Sequence, residues 1–467
     1  MIPLSLAEIA AVVSGQLCDI PDPQTAVTGP VVKDSRDVVP GALFVAFAGA
    51  RVDGHDFAHE VVGNGATAVL AQRPVGVPAV VVEDVTTALG ALARHVIDVL
   101  GTQVTALTGS AGKTSTKDLI AQLLQRLGPT VWTPGSLNNE IGLPLTALSS
   151  STDTRHLVLE MGARGIGHIR YLTGLTPPRV GVVLNVGSAH LGEFGSRENI
   201  AQAKGELVEA LPSAEEGGIA VLNADDPLVR AMAARTTARV VYFGESAEAH
   251  IRAENVRLTD DGRPSFTLHT PSGCGDVTMR LYGEHHVSNA LAAAAVACES
   301  GMPAEGIAEA LSAADTLSSW RMEVRERADG VTIVNDAYNA NPESMRAALR
   351  ALVAIGRGRR TWAVLGEMAE LGDESLTEHD AVGRLAVRLN VNKLVAVGGR
   401  EAGWLDMGAK NEGSWGEESV HVSDAQAAVD LLRSQLLPGD VVLVKASRSA
   451  GLERVALGLL EGEVQAG

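Results

Sequence analysis

The segment from Val104 to Lys117, VTALTGSAGKTSTK, contains residues that could hold the phosphates of a nucleotide. Gly109 and Gly112 lack a Cβ, so the backbone can curl close to an anion at both positions. The Lys113 ammonium would reach the β- and γ-phosphates, and the Thr114 hydroxyl would hold a Mg²⁺ ion. The chemistry that this spacing indicates is therefore phosphate binding with a divalent cation.

The elements around this loop are the ones that a phosphate site needs. An apolar, β-branched run leads into the loop, and leucine or isoleucine recurs after it at 119, 120, 123, 124 and 127. The pattern predicts a buried strand, a tight turn and a helix N-terminus, where backbone N–H groups and the helix dipole attract anions. Only Ser110 and Ala111 separate the glycines, whereas the usual motif has four residues there. A glycine-rich turn that binds nothing is the alternative interpretation.

Length and charge limit the classes of function. A chain of 467 residues is too long for one core, and three domains are expected. The net charge is −18, which argues against nucleic acid or an anionic membrane as a partner. Cys18, Cys274 and Cys298 are scattered and match neither a zinc pattern nor a disulfide framework. The sequence shows no secretion signal and no apolar run of about 18 residues, so we expect a cytoplasmic protein without membrane insertion.

Apolar runs alternate with helical patterns along the whole chain, which predicts an α/β protein with mostly parallel sheets. We place the domains at residues 1–100, 101–322 and 323–467. The last domain has no second Gly-Lys-Thr loop, so we expect it to close over the central site and exclude water. The predicted strands are residues 43–47, 68–71, 79–82, 157–160, 180–185, 219–222, 240–243, 331–335, 361–365, 394–397 and 441–445. The predicted helices are residues 5–14, 86–100, 343–355, 378–389, 425–437 and 452–460.

Polar residues end three of the central strands. Glu160 ends LVLEMG, His190 follows VVLNVG, and Asn223 begins the polar end of AVLNADD. Ligands gather at the carboxyl ends of strands in such sheets, so Glu160 could reach a Mg²⁺ ion on the nucleotide. A lone histidine is more often structural than a ligand, but the position of His190 beside Glu160 favours the ligand interpretation.

Lys204 lies in a helical stretch, ENIAQAKGELVEAL, and composition alone favours an exposed lysine there. The functional alternative requires a neutral amine that takes up CO₂ and becomes an anionic carbamate. Such a group would bridge two hard cations through oxygen. The residue types do not decide between these interpretations.

Several other polar groups have two interpretations each. The Lys33–Arg36 and Arg51–Phe57 clusters could bind a phosphate or a sugar, or could be solvated turns. His286 and Asn289 begin an alanine-rich helix and could contact an adenine ring, whereas Ser288 or Asn289 could instead cap that helix. Residues 335–342 and 445–448 form two polar clusters at strand ends of the last domain.

Eight motifs occur along the chain in the following order: TGSAGKTSTK, LEMGA, NVGSAHLGEFGS, AQAKGEL, GEHHVSNALAA, NDAYNANPESM, LGEMAELG and LVKASR. In this order they resemble the Mur ligase family over nearly the whole chain, and the short phosphate loop is the form which that family uses. The resemblance implies an N-terminal UDP-sugar-binding α/β domain, a central P-loop-type ATPase and a C-terminal Rossmann-like domain. It also implies ATP-dependent amide formation through an acyl phosphate.

Within the family, two segments are similar to those of the members that use a dipeptide: the paired asparagines Asn138 and Asn139, and DAYNANP. The implied reaction joins D-alanyl-D-alanine to UDP-N-acetylmuramoyl-tripeptide, a step of peptidoglycan synthesis, and the implied protein is a monomer. A sibling that adds one amino acid or glutamate, a P-loop ATPase switch, and a binding protein without turnover are the alternatives.

The same resemblance implies a catalytic group of four residues: Lys113, Glu160, His190 and Lys204. The resemblance also implies two Mg²⁺ ions, bound by Thr114, Glu160, His190 and carbamylated Lys204. ATP binding is implied for Gly109, Ser110, Ala111, Gly112, Lys113, Thr114, Ser115, Asn289, Arg321, Asp336, Tyr338 and Asn341. Binding of the other substrates is implied for Asp34, Ser35, Arg36, Asn138, Asn139, Lys445 and Ser447.

Overall fold

The computed structural model describes residues 1–49, 52–187, 191–414 and 416–461. Three main sheets follow one another along the chain, each covered by helices, and most of their strand pairs are parallel. The prediction of an α/β protein with mostly parallel sheets is therefore confirmed.

The first sheet has five strands among the described residues, and a two-stranded ribbon lies beside it. The Leu6–Val12 helix begins after Ser5, whose hydroxyl and Glu8 form a capping box. The strands are Leu4–Ser5, Gln16–Cys18, Ala26–Val27, Val31–Val32, Leu43–Val45, Ala68–Ala71 and Ala79–Val81, and the remaining α-helices are Ala58–Gly63 and Val85–Leu100.

The second sheet contains nine strands within the described part of the chain. The Gln103–Thr108 strand, which leads into the phosphate loop, lies between His156–Glu160 and Val180–Val183. The parallel strands are Gln103–Thr108, Thr130–Trp132, His156–Glu160, Val180–Val183, Ile219–Asn223 and Arg239–Gly244. The helices of this region are Lys113–Gln125, Gly142–Ala147, His168–Leu175, Leu191–Phe194, Arg197–Glu209, Pro227–Arg230, His286–Glu299 and Ala304–Ala313.

The register of the central sheet brings the residues predicted to bind phosphate and metal to one edge of the sheet. Glu160 pairs with Leu107, and Val183 pairs with Thr108 on the other side of the same strand. The phosphate loop, Glu160 and the segment after Val183 therefore leave the sheet side by side, because parallel strands end at the same edge.

The sheet continues into an arm that the sequence did not predict. Three more strands extend it: Ile251–Leu258, Pro264–Thr270 and Gly273–Thr278. The first pairs in parallel with the sheet, and each of the other two is antiparallel to the strand before it. Polar and charged residues are frequent in these strands, since much of the arm is exposed, and the apolar runs that revealed the buried strands are missing here.

The third sheet has six strands among the described residues, and only Glu323–Glu326 is antiparallel to its neighbour. The strands are Glu323–Glu326, Thr332–Asn335, Thr361–Leu365, Lys393–Val397, Ser419–Val422 and Val441–Lys445. The helices are Pro342–Gly356, Ser375–Arg388, Arg400–Glu412, Ala425–Gln435 and Glu453–Leu460.

The third sheet unit lies against the central one. Asn341 Nδ2 donates to Ser110 O at 3.2 Å, and Gly192 N donates to Glu370 O at 3.2 Å. Far from the loop, Arg357 Nη2 donates to Thr259 O at 2.7 Å. The last domain therefore contacts the phosphate loop directly. In the part of the chain described, no helix combines the length and apolarity needed to cross a bilayer.

Candidate active site

The phosphate loop adopts the predicted strand–turn–helix form. The strand ends at Thr108 and the next helix begins at Lys113, directly after Gly112. Gly112 has φ +81°, which L side chains rarely adopt, and a Cβ there would lie 2.5 Å from Asn289 Oδ1. Glycine is therefore required at this position both for its backbone conformation and for space.

Asn185, two residues after the end of the neighbouring strand, bonds to the loop through its side chain. Its Oδ1 accepts from Ser110 N and from Ala111 N, both at 2.9 Å. Two backbone N–H groups thus converge on one oxygen, which is the arrangement that binds a phosphate oxygen.

Lys113 folds back over the same loop. Its Nζ donates to Gly109 O at 2.7 Å. Burial lowers the pKa of Lys113, while the carboxylate of Glu160 opposes that shift. The ammonium therefore lies at the loop with hydrogen-bonding capacity for phosphate oxygens.

Thr114 and Glu160 meet as the sequence predicted. The hydroxyl of Thr114 donates to Glu160 Oε2 at 2.9 Å and lies 2.9 Å from Ser136 Oγ. Asn138 Nδ2 donates to the other carboxylate oxygen, Oε1, at 2.7 Å. Glu160 is only 1% exposed, so these bonds satisfy a carboxylate that would otherwise be costly to bury.

The fit of this cluster to Mg²⁺ follows from its chemistry. A hydroxyl and a carboxylate are hard oxygen ligands, and Mg²⁺ commonly binds one or two carboxylates together with substrate phosphates. The described residues contain no group of three histidines, cysteines or carboxylates that could hold a metal without such help. The donor set therefore suits a metal that arrives with a nucleotide. His190 lies outside the described residues.

Lys204 is buried in the Arg197–Glu209 helix, with 4% of its surface exposed. The interpretation as an exposed helix lysine is wrong. Burial lowers the pKa of Lys204 well below its usual value, and the charge of Lys113 adds to that shift. A neutral amine is the form that reacts with CO₂, so the environment fits the carbamate chemistry considered above.

Arg321 joins the central site to the last domain. Its Nη2 donates to Thr114 Oγ1 at 3.1 Å and to Ser136 Oγ at 3.2 Å. Its guanidinium carbon lies 4.2 Å from the centre of the Tyr338 ring, a cation–π contact. The residues on either side, Trp320 and Met322, both have positive φ (59° and 50°), so the linker is strained where it presents Arg321.

Asp336 and Lys445 form a buried ion pair beneath this linker. Lys445 Nζ lies 2.6 Å from Asp336 Oδ2 and donates to Asn339 O at 2.9 Å. Asp336 Oδ1 accepts from Met322 N at 3.0 Å. The pair therefore connects the last domain to the linker. Ser447 lies nearby and its hydroxyl accepts from Ala369 N at 2.8 Å.

The His286–Glu299 helix begins without a side-chain cap, so the interpretation of Ser288 or Asn289 as its cap is wrong. Asn289 instead packs its amide against Gly112. His286 is 3% exposed, and its Nε2 has no hydrogen-bond partner.

The remaining predicted substrate residues lie farther out. In the first domain, Asp34 caps the 3₁₀ turn Ser35–Asp37 and pairs with the exposed Arg36 (Nε–Oδ1 2.8 Å). In the central domain, Asn139 Oδ1 accepts from Gly142 N at 2.9 Å at the start of a helix. The structure thus gives these residues local roles and leaves Arg36 open to solvent. In the Arg51–Phe57 cluster, Arg51 lies outside the described residues.

Comparisons with known proteins cover the same regions. Three family models match: "Mur ligase family, catalytic domain" at residues 31–99, "Mur ligase middle domain" at 107–297, and "Mur ligase, glutamate ligase domain" at 320–448. A curated relative from Mycobacterium tuberculosis (strain H37Rv), UDP-N-acetylmuramoyl-tripeptide--D-alanyl-D-alanine ligase, is 50% identical over 98% of this chain and 97% of its own. The chain belongs to the Mur ligase family.

Solved structures agree with this assignment to the Mur ligases. MurF from Acinetobacter baumannii superposes with a TM-score of 0.87 at 32% identity, covering 98% of this chain and 99% of that one. MurF ligase from Thermotoga maritima in complex with ADP gives a TM-score of 0.80 at 32% identity, covering 94% and 98%. The relatives therefore match this Mur ligase over its full described architecture.

Two residues of this Mur ligase site were missed by the sequence analysis. Asn185 holds the loop N–H groups, and Ser136 joins Thr114 to Arg321. Asn185 ends a predicted strand two residues before a glycine, which was the only local signal. Its role depends on the Val183–Thr108 pairing, which no local pattern reveals.

Proposed function

We propose that this Mur ligase joins D-alanyl-D-alanine to UDP-N-acetylmuramoyl-tripeptide and consumes ATP, giving the pentapeptide precursor of peptidoglycan, ADP and phosphate. Curated relatives at 48–50% identity over 98% of the chain carry the name of this activity. The observation that carries the proposal is the convergence of the phosphate loop, Glu160 and Arg321 at Thr114 Oγ1.

The chemistry requires activation of an acid. A carboxylate is a poor electrophile, because its oxygen is a poor leaving group. An oxygen of the tripeptide carboxylate attacks the γ-phosphorus of ATP, the bond to ADP breaks, and an acyl phosphate forms. The amine of D-alanyl-D-alanine then attacks the acyl carbon, the bond to phosphate breaks, and the amine loses a proton as the amide forms.

The residues of the loop act on charge and position. Lys113 would bind the phosphates, and so would the N–H groups of Ser110 and Ala111 once the nucleotide displaces the Asn185 amide from them. Arg321 would neutralise charge that spreads over the transferred group. Asn341 brings the last domain onto the loop, which would keep water away from the acyl phosphate.

Thr114 and Glu160 would hold a Mg²⁺ ion, which would neutralise phosphate charge when it is bound. His190 and a carbamate on Lys204 are proposed to hold or support a second ion. The support for the carbamate is the burial of Lys204 and the lowered pKa of its amine.

The remaining assignments extend this proposal. Asn289, Asp336 and Tyr338 would frame the adenosine and the closed interface. Asp34, Ser35 and Arg36 would meet the UDP moiety, and Asn138 and Asn139 the sugar and peptide. Lys445 and Ser447 would hold the last domain's turn at the acyl phosphate or the incoming dipeptide.

The domain division is proposed at 1–100, 101–322 and 323–467, because a separate sheet lies in each range. We propose a monomer, as the resemblance to the family implies. We place the reaction in the cytoplasm because it consumes ATP.

One coupled assay tests the function. The purified chain receives ATP, Mg²⁺ and UDP-N-acetylmuramoyl-tripeptide labelled with ¹⁸O in its terminal carboxylate, with D-alanyl-D-alanine or single amino acids as the amine. The expected result is a product that has gained the dipeptide, together with ¹⁸O in the released phosphate. Phosphate free of ¹⁸O would contradict the acyl phosphate, and a preference for a single amino acid would assign the chain to a sibling activity.

A further inference from the structure

Lys117 lies one turn after Lys113 in the Lys113–Gln125 helix and has no exposed surface. Its Nζ donates to Thr133 O at 2.7 Å and to Gly135 O at 2.8 Å, and it lies 2.9 Å from Asp118 Oδ1. Two of its N–H groups thus donate to backbone carbonyls, and the Asp118 carboxylate lies beside the ammonium as its counter-ion, which a buried ammonium requires. The side chain is a fixed link between this helix and residues 133–135.

The segment that Lys117 holds carries two side chains into the candidate site. It continues directly to Ser136, whose Oγ lies 2.9 Å from Thr114 Oγ1, and to Asn138, whose Nδ2 donates to Glu160 Oε1 at 2.7 Å. Residues 133–139 belong to neither a helix nor a strand. Backbone bonds hold this segment near its two ends, where Thr133 N donates to Val158 O at 3.1 Å and Asn138 O accepts from Gly162 N at 2.9 Å. Between these bonds, the carbonyl of Gly135 accepts from Lys117, as does the carbonyl of Thr133.

The partner of Lys117 reaches the other side of the site. Burial raises the pKa of Asp118, while Lys117 and Ser318 of the linker before Arg321 oppose that rise. One turn later, Gln122 and Asp315 exchange hydrogen bonds, with Gln122 Nε2 donating to Asp315 O at 2.9 Å and Asp315 N donating to Gln122 Oε1 at 3.0 Å. The helix that starts at the phosphate loop therefore contacts both segments that complete the cluster around Thr114.

We propose that Lys117 is a positioning residue of the ligase: its ammonium fixes residues 133–135 so that Ser136 and Asn138 reach Thr114 and Glu160. The proposal rests on the proposed function. It means that the helix after the phosphate loop also positions residues proposed to meet the tripeptide substrate. Lys117 itself touches neither nucleotide nor acceptor.

Two variants separate positioning from stability. Lys117→Met keeps the length of the side chain but leaves the Asp118 carboxylate buried without its cation, so it also destabilises the fold. The double variant Lys117→Met/Asp118→Asn removes that stranded charge and regains stability, yet it still lacks the bonds to Thr133 and Gly135. The matched control is Arg360→Met, which breaks a partly buried pair with Asp440 in the last domain, far from this cluster.

The measurements are the thermal midpoint, the Kd of a non-hydrolysable ATP analogue with Mg²⁺ by calorimetry, and kcat and KM for UDP-N-acetylmuramoyl-tripeptide. We expect kcat/KM for the tripeptide to fall at least about ten-fold in both Lys117 variants, because misplacement of a reacting group is costly. The Kd of the analogue stays within about three-fold, since the phosphate loop itself is unchanged. Arg360→Met lowers the thermal midpoint and keeps the native kcat/KM.

A double variant with native kcat/KM would overturn the positioning role, and so would a loss of activity that follows the thermal midpoint across all three variants. These outcomes differ from failure of the proposed function. That failure would appear as absence of pentapeptide product with the native chain, before any variant is compared.

Discussion

Arg321 Nη2 lies 3.1 Å from Thr114 Oγ1, so a residue of the linker before the last domain contacts the second residue of the phosphate-loop helix. The Tyr338 ring of the last domain packs on the same guanidinium at 4.2 Å. The contact therefore couples the position of the last domain to the nucleotide site. Closure of the domain and completion of the site are one event in this geometry.

Arg321→Ala should lower kcat/KM for ATP by about 10- to 150-fold, because a charge-assisted contact of this kind contributes about 1.5–3 kcal/mol. Arg321→Lys should recover only part of the loss, since an ammonium lacks the planar fork that meets two hydroxyl groups and stacks on Tyr338. The control is Arg325→Ala, which removes an exposed arginine of the following strand. Equal losses in the two alanine variants would contradict the role of Arg321.

Lys113→Ala should reduce turnover far more than it reduces stability. Among the described residues the Nζ bonds only to Gly109 O in its own loop, so the fold loses one hydrogen bond, worth about 1 kcal/mol. The reaction loses the cation that faces the phosphates. Turnover and thermal unfolding measured on the same preparation test this, and an equal collapse of both would remove Lys113 from the phosphate site.

The sequence predicted the buried parts of the fold well because their apolar runs are continuous. The strands Ala68–Ala71, Thr361–Leu365 and Val441–Lys445 were predicted residue for residue. The Arg400–Glu412 helix was missed, since its sequence mixes charged and small residues and shows a weak apolar face. The exposed arm at residues 251–278 was missed for the same reason.

The candidate site, too, was predictable only in part. The sequence predicted Gly112, Lys113, Thr114 and Glu160 because a local motif and a strand end coincide at these positions. The burial of Lys117 was not predictable from its neighbours, since lysine is almost always exposed and its acceptors come from residues 133 and 135 in another segment. Contacts that depend on strand register or on loop packing require the structure.

Gly112→Ala should impair nucleotide binding more than Gly301→Ala, a matched substitution at another positive φ. Both cost about 1–2 kcal/mol of stability, because alanine is strained in the left-handed region. At Gly301 (φ +91°) a Cβ would meet nothing within 4 Å, whereas at Gly112 it would displace Asn289. Calorimetric Kd values for ATP with Mg²⁺ check this, and similar affinities in the two variants would refute the packing argument.

The stability of the native protein should rise with pH between about 4 and 6.5. Although part of the His285 ring reaches solvent, burial lowers its pKa to about 4, with Asp336 opposing and Lys445 adding to the shift. The unfolded chain therefore binds the proton that the folded chain rejects in this window, and the stability from neutral His285 is lost as pH falls toward 4. His285→Gln should flatten the slope of the unfolding free energy measured with urea at pH 5.0 to 6.5. A slope unchanged by the substitution would contradict the assignment.

Lys204 should carry a carbamate when the protein is kept with bicarbonate and Mg²⁺. Burial lowers the pKa of its amine and so favours the neutral form that reacts with CO₂, and NMR with ¹³C-bicarbonate should show one carbamate signal that Lys204→Arg lacks. Activity of that variant should fall by about 10- to 100-fold, the range seen when a metal site loses a supporting group. Lys393→Arg, at a half-buried lysine of the last domain whose Nζ donates to Glu417 O, should keep both the signal and the activity. Because the signal is read without turnover, a native protein that is active and shows no carbamate would assign Lys204 a role as an amine, held at the site by the Arg197–Glu209 helix.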